Sequence, residues 1–128
     1  MKSLMPYLWI GLGGFVGANA RHLVSNLAAR LAGVGFPYGT FFINVSGSFL
    51  LGVILTILAE RTLPFSQEIR LAVAVGFLGA YTTFSTFEYE TGALLKDGEW
   101  LFAGMNIVLS VVIGFVALKL GEMLAKTI

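Results

Sequence analysis

Four long apolar segments run along the chain, and short stretches rich in polar residues, proline or glycine separate them. The segments cover roughly residues 4–27, 40–59, 69–95 and 100–124, and each is near the ~20 residues that a helix needs to cross a bilayer. Short connections imply that consecutive helices are antiparallel neighbours in a bundle. The pattern therefore predicts an all-α membrane protein in which residues 1–128 form a single four-span domain.

The third apolar segment contains a polar stretch between residues 76 and 90. Four hydroxyl side chains and two phenylalanines alternate there: Thr82, Thr83, Phe84, Ser85, Thr86 and Phe87. The i,i+3 spacing brings the two rings to the same side of a helix, and Gly76 and Gly79 weaken helical continuity just upstream. Hydroxyls, aromatic edges and loosened backbone at membrane depth predict a path for a small solute.

Composition supports the membrane assignment and excludes several classes of function. The chain is 57% hydrophobic and 12% charged, with a mean hydropathy of +0.87, whereas a soluble domain carries about a quarter charged residues. A net charge of +1 without a basic stripe gives no field for nucleic acid. The absence of cysteine excludes disulfides and thiolate chemistry, and we expect no sizeable domain outside the membrane.

The first apolar segment has an alternative interpretation as a signal peptide. Lys2 precedes the apolar run, and residues 18–20 have the small-residue form of a cleavage site. Cleavage there would leave a chain still made of membrane helices, and we expect the segment to be the first span of the mature protein. Within it, Gly13 and Gly17 predict a close-packing helix face.

Polar residues in the other segments leave more than one role open. Facing lipid, the Asn44 amide would cost about 2–7 kcal/mol of desolvation, so it must face another helix as interhelical glue or a wet cavity as a solute contact. Arg21 either snorkels to the interface or faces inward and attracts an anion. Asn106 and Ser110, at i,i+4, form a polar seam on one side of the fourth segment.

The distribution of basic residues bears on topology. If the N-terminus, the second loop and the C-terminus share one side, Lys2, Arg61, Arg70, Lys119 and Lys126 lie there, against Arg21, Arg30 and Lys96 on the other. So small a bias fixes orientation only weakly, and such a chain can insert both ways. Two oppositely inserted copies would build an inverted repeat by dimerisation.

Three motifs support a family resemblance. They are Gly13-Gly14-x-x-Gly17 followed by Arg21, Pro37-x-Gly39-Thr40-x-x-x-Asn44, and Gly76-Phe77-Leu78-Gly79 running into the Thr/Phe/Ser stretch at 82–87. Together they resemble the Fluc fluoride channels, also called CrcB-type proteins, over nearly the whole chain. The resemblance implies a broken third helix and an antiparallel, dual-topology homodimer with two parallel pores, each lined by both subunits.

The resemblance also implies roles for individual residues. The fluoride pathway would comprise Asn44, Phe84 and Phe87 as contacts, Ser85, Thr86 and Ser110 as hydroxyl donors, Thr40 and Asn106 as further members, and Arg21 at the vestibule. The backbone carbonyls of Gly79 and Thr82 would hold one structural Na⁺ on the dimer axis, and Glu90 matches a carboxylate of the third helix. Asn106, Gly114 and Ala80 depart from residues that are frequent in the family.

The function implied is a passive fluoride-selective channel in the plasma (inner) membrane of a microbe, which exports cytoplasmic fluoride and lowers its toxicity. Its partners would be fluoride, the lipid bilayer and a second copy of itself, with no catalysis. Two alternatives stay open on the residues alone. One is a small proton-coupled multidrug exporter, which would need a deep carboxylate on its first helix. The other is a non-transporting assembly subunit whose polar residues bind helices together.

Overall fold

A computed structural model describes residues 3–128, and the residues it describes form helices without any strand. The helices are α1 (Met5–Ala32), α2 (Tyr38–Glu60), α3 (Ser66–Ile69), a π-helical segment (Arg70–Leu78), α4 (Gly79–Tyr81), α5 (Phe84–Lys96) and α6 (Trp100–Thr127). Lys2, which enters the charge comparison, lies outside the described residues. The prediction of an all-α fold is confirmed.

Three helical stretches of the described chain are long and apolar enough to cross a membrane. They are Tyr38–Glu60, Trp100–Thr127, and the third span, Ser66–Lys96, which contains every element from α3 to α5. With 28 residues, α1 has the length of a span, but it is less apolar than α2 and α6 because it contains Asn19, Arg21 and His22. The first span therefore stays a prediction.

The helices are longer than the predicted apolar segments, and α1 and α6 both continue past the predicted C-terminal ends. Helix α1 continues to Ala32, where Gly33 adopts a φ of 79° and its N–H donates to the carbonyl of Ala29. Helix α6 continues to Thr127. Hydropathy marks the part of a helix that suits hydrocarbon, whereas backbone hydrogen bonding continues into the interface until a residue such as glycine ends it.

Close helix packing at glycines confirms the predicted role of Gly13 and Gly17. A Cβ on Gly13 would overlap the carbonyl of Ala72, and one on Gly17 would overlap the carbonyl of Phe77. Helix α1 therefore packs its backbone directly against the π-helical segment. Small residues permit such close approach in membranes, where van der Waals packing holds helices together.

Helices α2 and α6 form a second closely packed pair. A Cβ on Gly52 of α2 would overlap the Leu118 carbonyl, and one on Gly121 of α6 would overlap the Phe49 carbonyl. The two glycines face each other's helix, so the contact is reciprocal. The bundle thus consists of two glycine-packed pairs, α1 with the first half of the third span and α2 with α6.

The third span is broken, as predicted, but the break lies at two threonines. Thr82 (φ −79°, ψ 157°) and Thr83 (φ −152°, ψ 120°) are extended, whereas Gly76 and Gly79 remain helical. Gly76 serves a different purpose, since a Cβ there would lie 2.6 Å from the carbonyl oxygen of Ile10. That glycine is required by the approach of α1 and does not open the helix.

Candidate functional site

Asn44 of α2 holds the break of the third span. Its Oδ1 accepts from the N–H of Thr83 at 2.8 Å, and its Nδ2 donates to the carbonyl of Thr83 at 3.0 Å. One amide therefore satisfies both backbone groups of a residue that has left the helix, as a neighbouring strand would. Interrupted backbone at membrane depth requires such a partner, because each unsatisfied group costs several kcal/mol.

The same hydrogen bonds deprive two carbonyls of their helical donors. In a continuous helix the Thr83 N–H would bond the Gly79 carbonyl, but it donates to Asn44 instead. The Thr86 N–H, which would bond the Thr82 carbonyl, instead donates to Thr83 Oγ1 at 3.3 Å as an N-cap of α5. The carbonyls of Gly79 and Thr82, the two predicted to bind a cation, are thus among those that lose a helical donor at the break.

A cavity of about 360 Å³ adjoins the break and is called here the phenylalanine cavity. The predicted site residues that line it are Asn44, Gly79, Thr82, Phe84, Phe87 and Ser110. The two rings have centroids 6.0 Å apart and an interplanar angle of 48°. Phe87 is buried at 8% exposure, whereas Phe84 is 73% exposed, so the cavity opens on the side of Phe84.

A chain of buried hydrogen bonds lies behind Ser110. The Ser110 hydroxyl donates to Asn106 Oδ1 at 3.3 Å, Asn106 Nδ2 donates to Thr91 Oγ1 at 2.9 Å, and the Thr91 hydroxyl donates to the carbonyl of Phe87 at 2.8 Å. Asn106 is only 1% exposed. This network connects α6 to α5 and fixes the backbone that carries the Phe87 ring. Because the Ser110 hydroxyl proton is donated to Asn106, its oxygen has only lone pairs left for the cavity.

Two further cavities continue from this one along the bundle. The arginine cavity, about 270 Å³, is lined by Arg21, Thr40, Thr83 and Thr86 among others, and it shares Thr83 with the phenylalanine cavity. The carboxylate cavity, about 430 Å³, shares Thr40 with the arginine cavity. The three cavities therefore follow one another from the helix break toward the end of α5.

The carboxylate cavity takes its name from Glu90, Asp97 and Glu99, which line it together. Thr40 is 5% exposed, and its hydroxyl donates to Glu90 Oε1 at 2.7 Å. The buried Oε2 of Glu90 has no hydrogen-bond partner among the described residues. The hydroxyl therefore ties α2 to α5 at the point where this cavity meets the arginine cavity.

Comparison with known proteins places the chain in a family. Residues 8–122 match the family described as "CrcB-like protein, Camphor Resistance (CrcB)". The chain belongs to the CrcB-like family. The match covers α2, the third span and nearly all of α1 and α6, so it includes every residue of the predicted site.

Similar curated proteins carry the name "Fluoride-specific ion channel FluC". The protein of Ruminiclostridium cellulolyticum is 44% identical over 128 residues, which are 100% of this chain and 98% of that protein. That of Geobacter sulfurreducens is 47% identical over 119 residues, 93% of this chain and 95% of that protein. That of Methylococcus capsulatus is 51% identical over 117 residues, 91% of this chain. The chain spans about half the length of this last relative, 51%.

Within this CrcB-like chain, the predicted site residues occupy different places. Six line the phenylalanine cavity, and Arg21, Thr40 and Thr86 line the arginine cavity. Ser85 is exposed and lines none of the three cavities described. Asn106 lies behind the cavity wall, where it acts through Ser110.

The prediction for the site of this CrcB-like chain did not include three residues that the structure connects to it. Thr91 forms the middle of the Asn106 network, and Ser46 bonds Tyr81 beside the break. A threonine four residues after Phe87 is an ordinary feature of a membrane helix, where such hydroxyls bond their own backbone. Only the fold shows that Thr91 also receives a hydrogen bond from α6.

Proposed function

We propose that this chain forms a passive, fluoride-selective ion channel. The observation that supports it best is the phenylalanine cavity, where one amide, two serines and two phenyl rings surround a space at a break in a membrane helix. A metabolic enzyme would need an activated nucleophile or an acid–base pair, and this cavity contains neither. The names of the relatives favour the same function.

The chemistry of the cavity suits a small anion that has lost its water. The Asn44 amide has two N–H groups, and one of them remains after the other donates to Thr83. Phenyl rings carry positive edges, so an anion is favoured in the plane of the ring and disfavoured over its face. The tilted pair of Phe84 and Phe87 gives two such edges, and a close-fitting site built from them would favour the smaller halide.

The consecutive cavities supply the rest of the path. Arg21 lines the cavity next to the phenylalanine cavity, where its charge raises the local concentration of anions. Beyond it, the carboxylates of the third cavity oppose the entry of anions, so the path proposed here begins at Thr40, whose hydroxyl donates to Glu90. A fluoride ion would pass Thr40 and Arg21 before it reaches the rings.

The pore would be completed by a second copy in the opposite orientation. The side of the phenylalanine cavity near Phe84, which is 73% exposed, is open within one copy, and a second copy would close it. The distribution of basic residues hardly favours either insertion. An antiparallel homodimer would close two such cavities and give two pores, each lined by both subunits.

The carbonyls of Gly79 and Thr82 suit a structural Na⁺ at the centre of this dimer. Both have lost their helical donors to the Asn44 and Thr83 side chains, and oxygen atoms, backbone carbonyls among them, are the ligands that hard cations prefer. When bound, the ion would add positive charge between the two pores. Gly79 and Thr82 also line the phenylalanine cavity. One interruption of the third span would therefore provide carbonyls for the cation and a cavity for the anion.

A membrane location and a role in fluoride export follow from this function. Fluoride that enters a microbe as neutral HF dissociates in a less acidic cytoplasm, and a passive channel in the plasma membrane would release it. The alternative of a proton-coupled exporter lacks its essential group, because α1 contains no aspartate or glutamate. The alternative of an assembly subunit gives no role to the cavity.

Fluoride efflux from liposomes tests the proposal. The parent should release trapped fluoride and retain chloride, and Phe84→Ile, Phe87→Ile and Asn44→Asp should each lower the rate at least tenfold. Tyr7→Phe, at an exposed position in the first turn of α1, is a matched control and should behave as the parent. A parent without efflux would refute the function, and unchanged rates in all three variants would refute the assigned site.

A further inference from the structure

The Tyr81 side chain is buried beside the helix break. Tyr81 is the last residue of α4, lies between Gly79 and Thr82, and is 6% exposed. Its ring stacks on that of Phe77, with centroids 5.7 Å apart and an interplanar angle of 9°. Stacking on Phe77, which belongs to the same span, holds the Tyr81 ring in one plane. It does not fix the position of the ring within that plane.

The Tyr81 hydroxyl supplies a second point of attachment, on α2. It lies 3.0 Å from Ser46 Oγ, and Ser46 itself donates to the carbonyl of Ile43 at 3.2 Å. Because serine has one proton and gives it to Ile43, the tyrosine is the donor in this pair. The bond ties α2 to the residue just before the break, whereas Asn44 ties α2 to Thr83 within the break.

We propose that the Ser46–Tyr81 hydrogen bond is a positioning element that sets the direction of the Gly79 and Thr82 carbonyls. This inference rests on the proposed cation site. Two carbonyls bind one ion only when both oxygens point to the same place, and the two residues between them, Ala80 and Tyr81, decide whether they do. Fixing Tyr81 at its tip and Thr83 by its backbone leaves the residue between them, Thr82, little freedom to rotate.

The dependence of thermal stability on Na⁺ tests the role of the pair. The full-length chain, purified in detergent, is melted over a range of Na⁺ concentrations with N-methylglucamine as the replacing cation. Tyr81→Phe and Ser46→Ala should each raise the Na⁺ concentration of half-maximal stabilisation about fivefold, which is the fold-change equivalent to one hydrogen bond of about 1 kcal/mol. Because each variant removes the same bond, the double variant should show the effect of one.

Tyr7→Phe is again the matched control, since it removes a tyrosine hydroxyl far along the chain from the break. A merely structural role for Tyr81 would lower the melting temperature equally at every Na⁺ concentration and leave the midpoint unchanged, and that result would overturn the inference. Additive effects in the double variant would overturn it as well. A parent whose melting ignores Na⁺ would instead remove the cation site, and the positioning role with it.

Discussion

Helix α2 packs so closely against the helix break at Gly47 that one added methyl group should disturb the break. Gly47 is buried, and a Cβ there would come closer to Thr82 Cγ2 than real Cβ atoms approach and would lie 3.3 Å from Tyr81 Cδ1. Ordinary contact begins at 3.4 Å. Gly47→Ala should therefore push the break away from α2 or force the Thr82 side chain to turn.

Either response destabilises the fold. Turning Thr82 about χ1 removes its hydroxyl from the Leu78 carbonyl, to which it donates at 2.8 Å, and a lost hydrogen bond costs about 1 kcal/mol. Keeping that bond overpacks the site, which costs about 1–3 kcal/mol. Replacing a helical glycine by alanine stabilises the helix by about 0.5–1 kcal/mol, which offsets part of this loss. A control without the clash is needed to separate these effects.

Gly11→Ala is that control, because a Cβ on Gly11 of α1 would meet nothing within 4 Å among the described residues. Both variants gain the same helix propensity, so their free energies of unfolding should differ by the clash alone, about 2 kcal/mol. Denaturant titration in detergent micelles measures this difference. Fluoride efflux should fall in Gly47→Ala and remain at the parent's rate in Gly11→Ala.

A second substitution identifies the atom responsible. Thr82→Ser removes the Cγ2 methyl but keeps the hydroxyl that bonds Leu78, so it should restore most of the stability lost in Gly47→Ala. The reasoning fails if Gly47→Ala is as stable as Gly11→Ala and conducts normally. It also fails if the serine brings back neither property, since the break would then be displaced by something other than this contact.

The other predictions concern single hydrogen bonds near the site. Thr40→Val, which keeps the shape of the side chain, removes the only side-chain donor to Glu90 among the described residues and should lower the free energy of unfolding by about 1–3 kcal/mol; chemical denaturation measures it. Thr83→Val removes the N-cap of α5 and should cost about 1 kcal/mol in the same assay, whereas Thr83→Ser should cost far less. Asn106→Asp places a charge at a position that is 1% exposed and should cost about 3 kcal/mol or more and slow fluoride efflux; a variant as stable as the parent would show that water reaches the Asn106 network.

Local patterns in the sequence predicted the parts of the fold that depend on local chemistry. Apolar segments of spanning length identified the long helices, and Gly13 with Gly17 identified a packing face that the structure confirms. The two phenylalanines at i,i+3 spacing do reach one cavity. Each of these features depends on residues within a few positions of one another, so it can be recognised without knowing the fold.

The position of the break depends on a contact that no local pattern contains. Gly76 and Gly79 suggested an interruption at the glycines, but Gly76 is required by the approach of α1 and the chain leaves the helix at Thr82 and Thr83. What stabilises the extended threonines is the Asn44 amide, 39 residues earlier. Sequence reasoning left Asn44 as either interhelical glue or a solute contact, and its amide has enough hydrogen-bonding groups to be both.

Several hydroxyls around the phenylalanine cavity already donate to protein groups, and this gives the aromatic rings a role in binding an anion. Three hydroxyls on or behind the cavity wall donate to protein acceptors. Thr82 donates to the carbonyl of Leu78, Thr91 donates to the carbonyl of Phe87, and Ser110 of α6 donates to Asn106 Oδ1. A dehydrated anion in the cavity would find one amide N–H ready, the hydroxyls of Ser48 and Thr83 on the cavity wall, and Ser110, which must rotate away from its partner. These few donors replace only part of a hydration shell, so the positive edges of the phenyl rings would have to supply the remainder. A channel built on this cavity is therefore expected to be more sensitive to loss of either ring than to loss of the Ser110 hydroxyl.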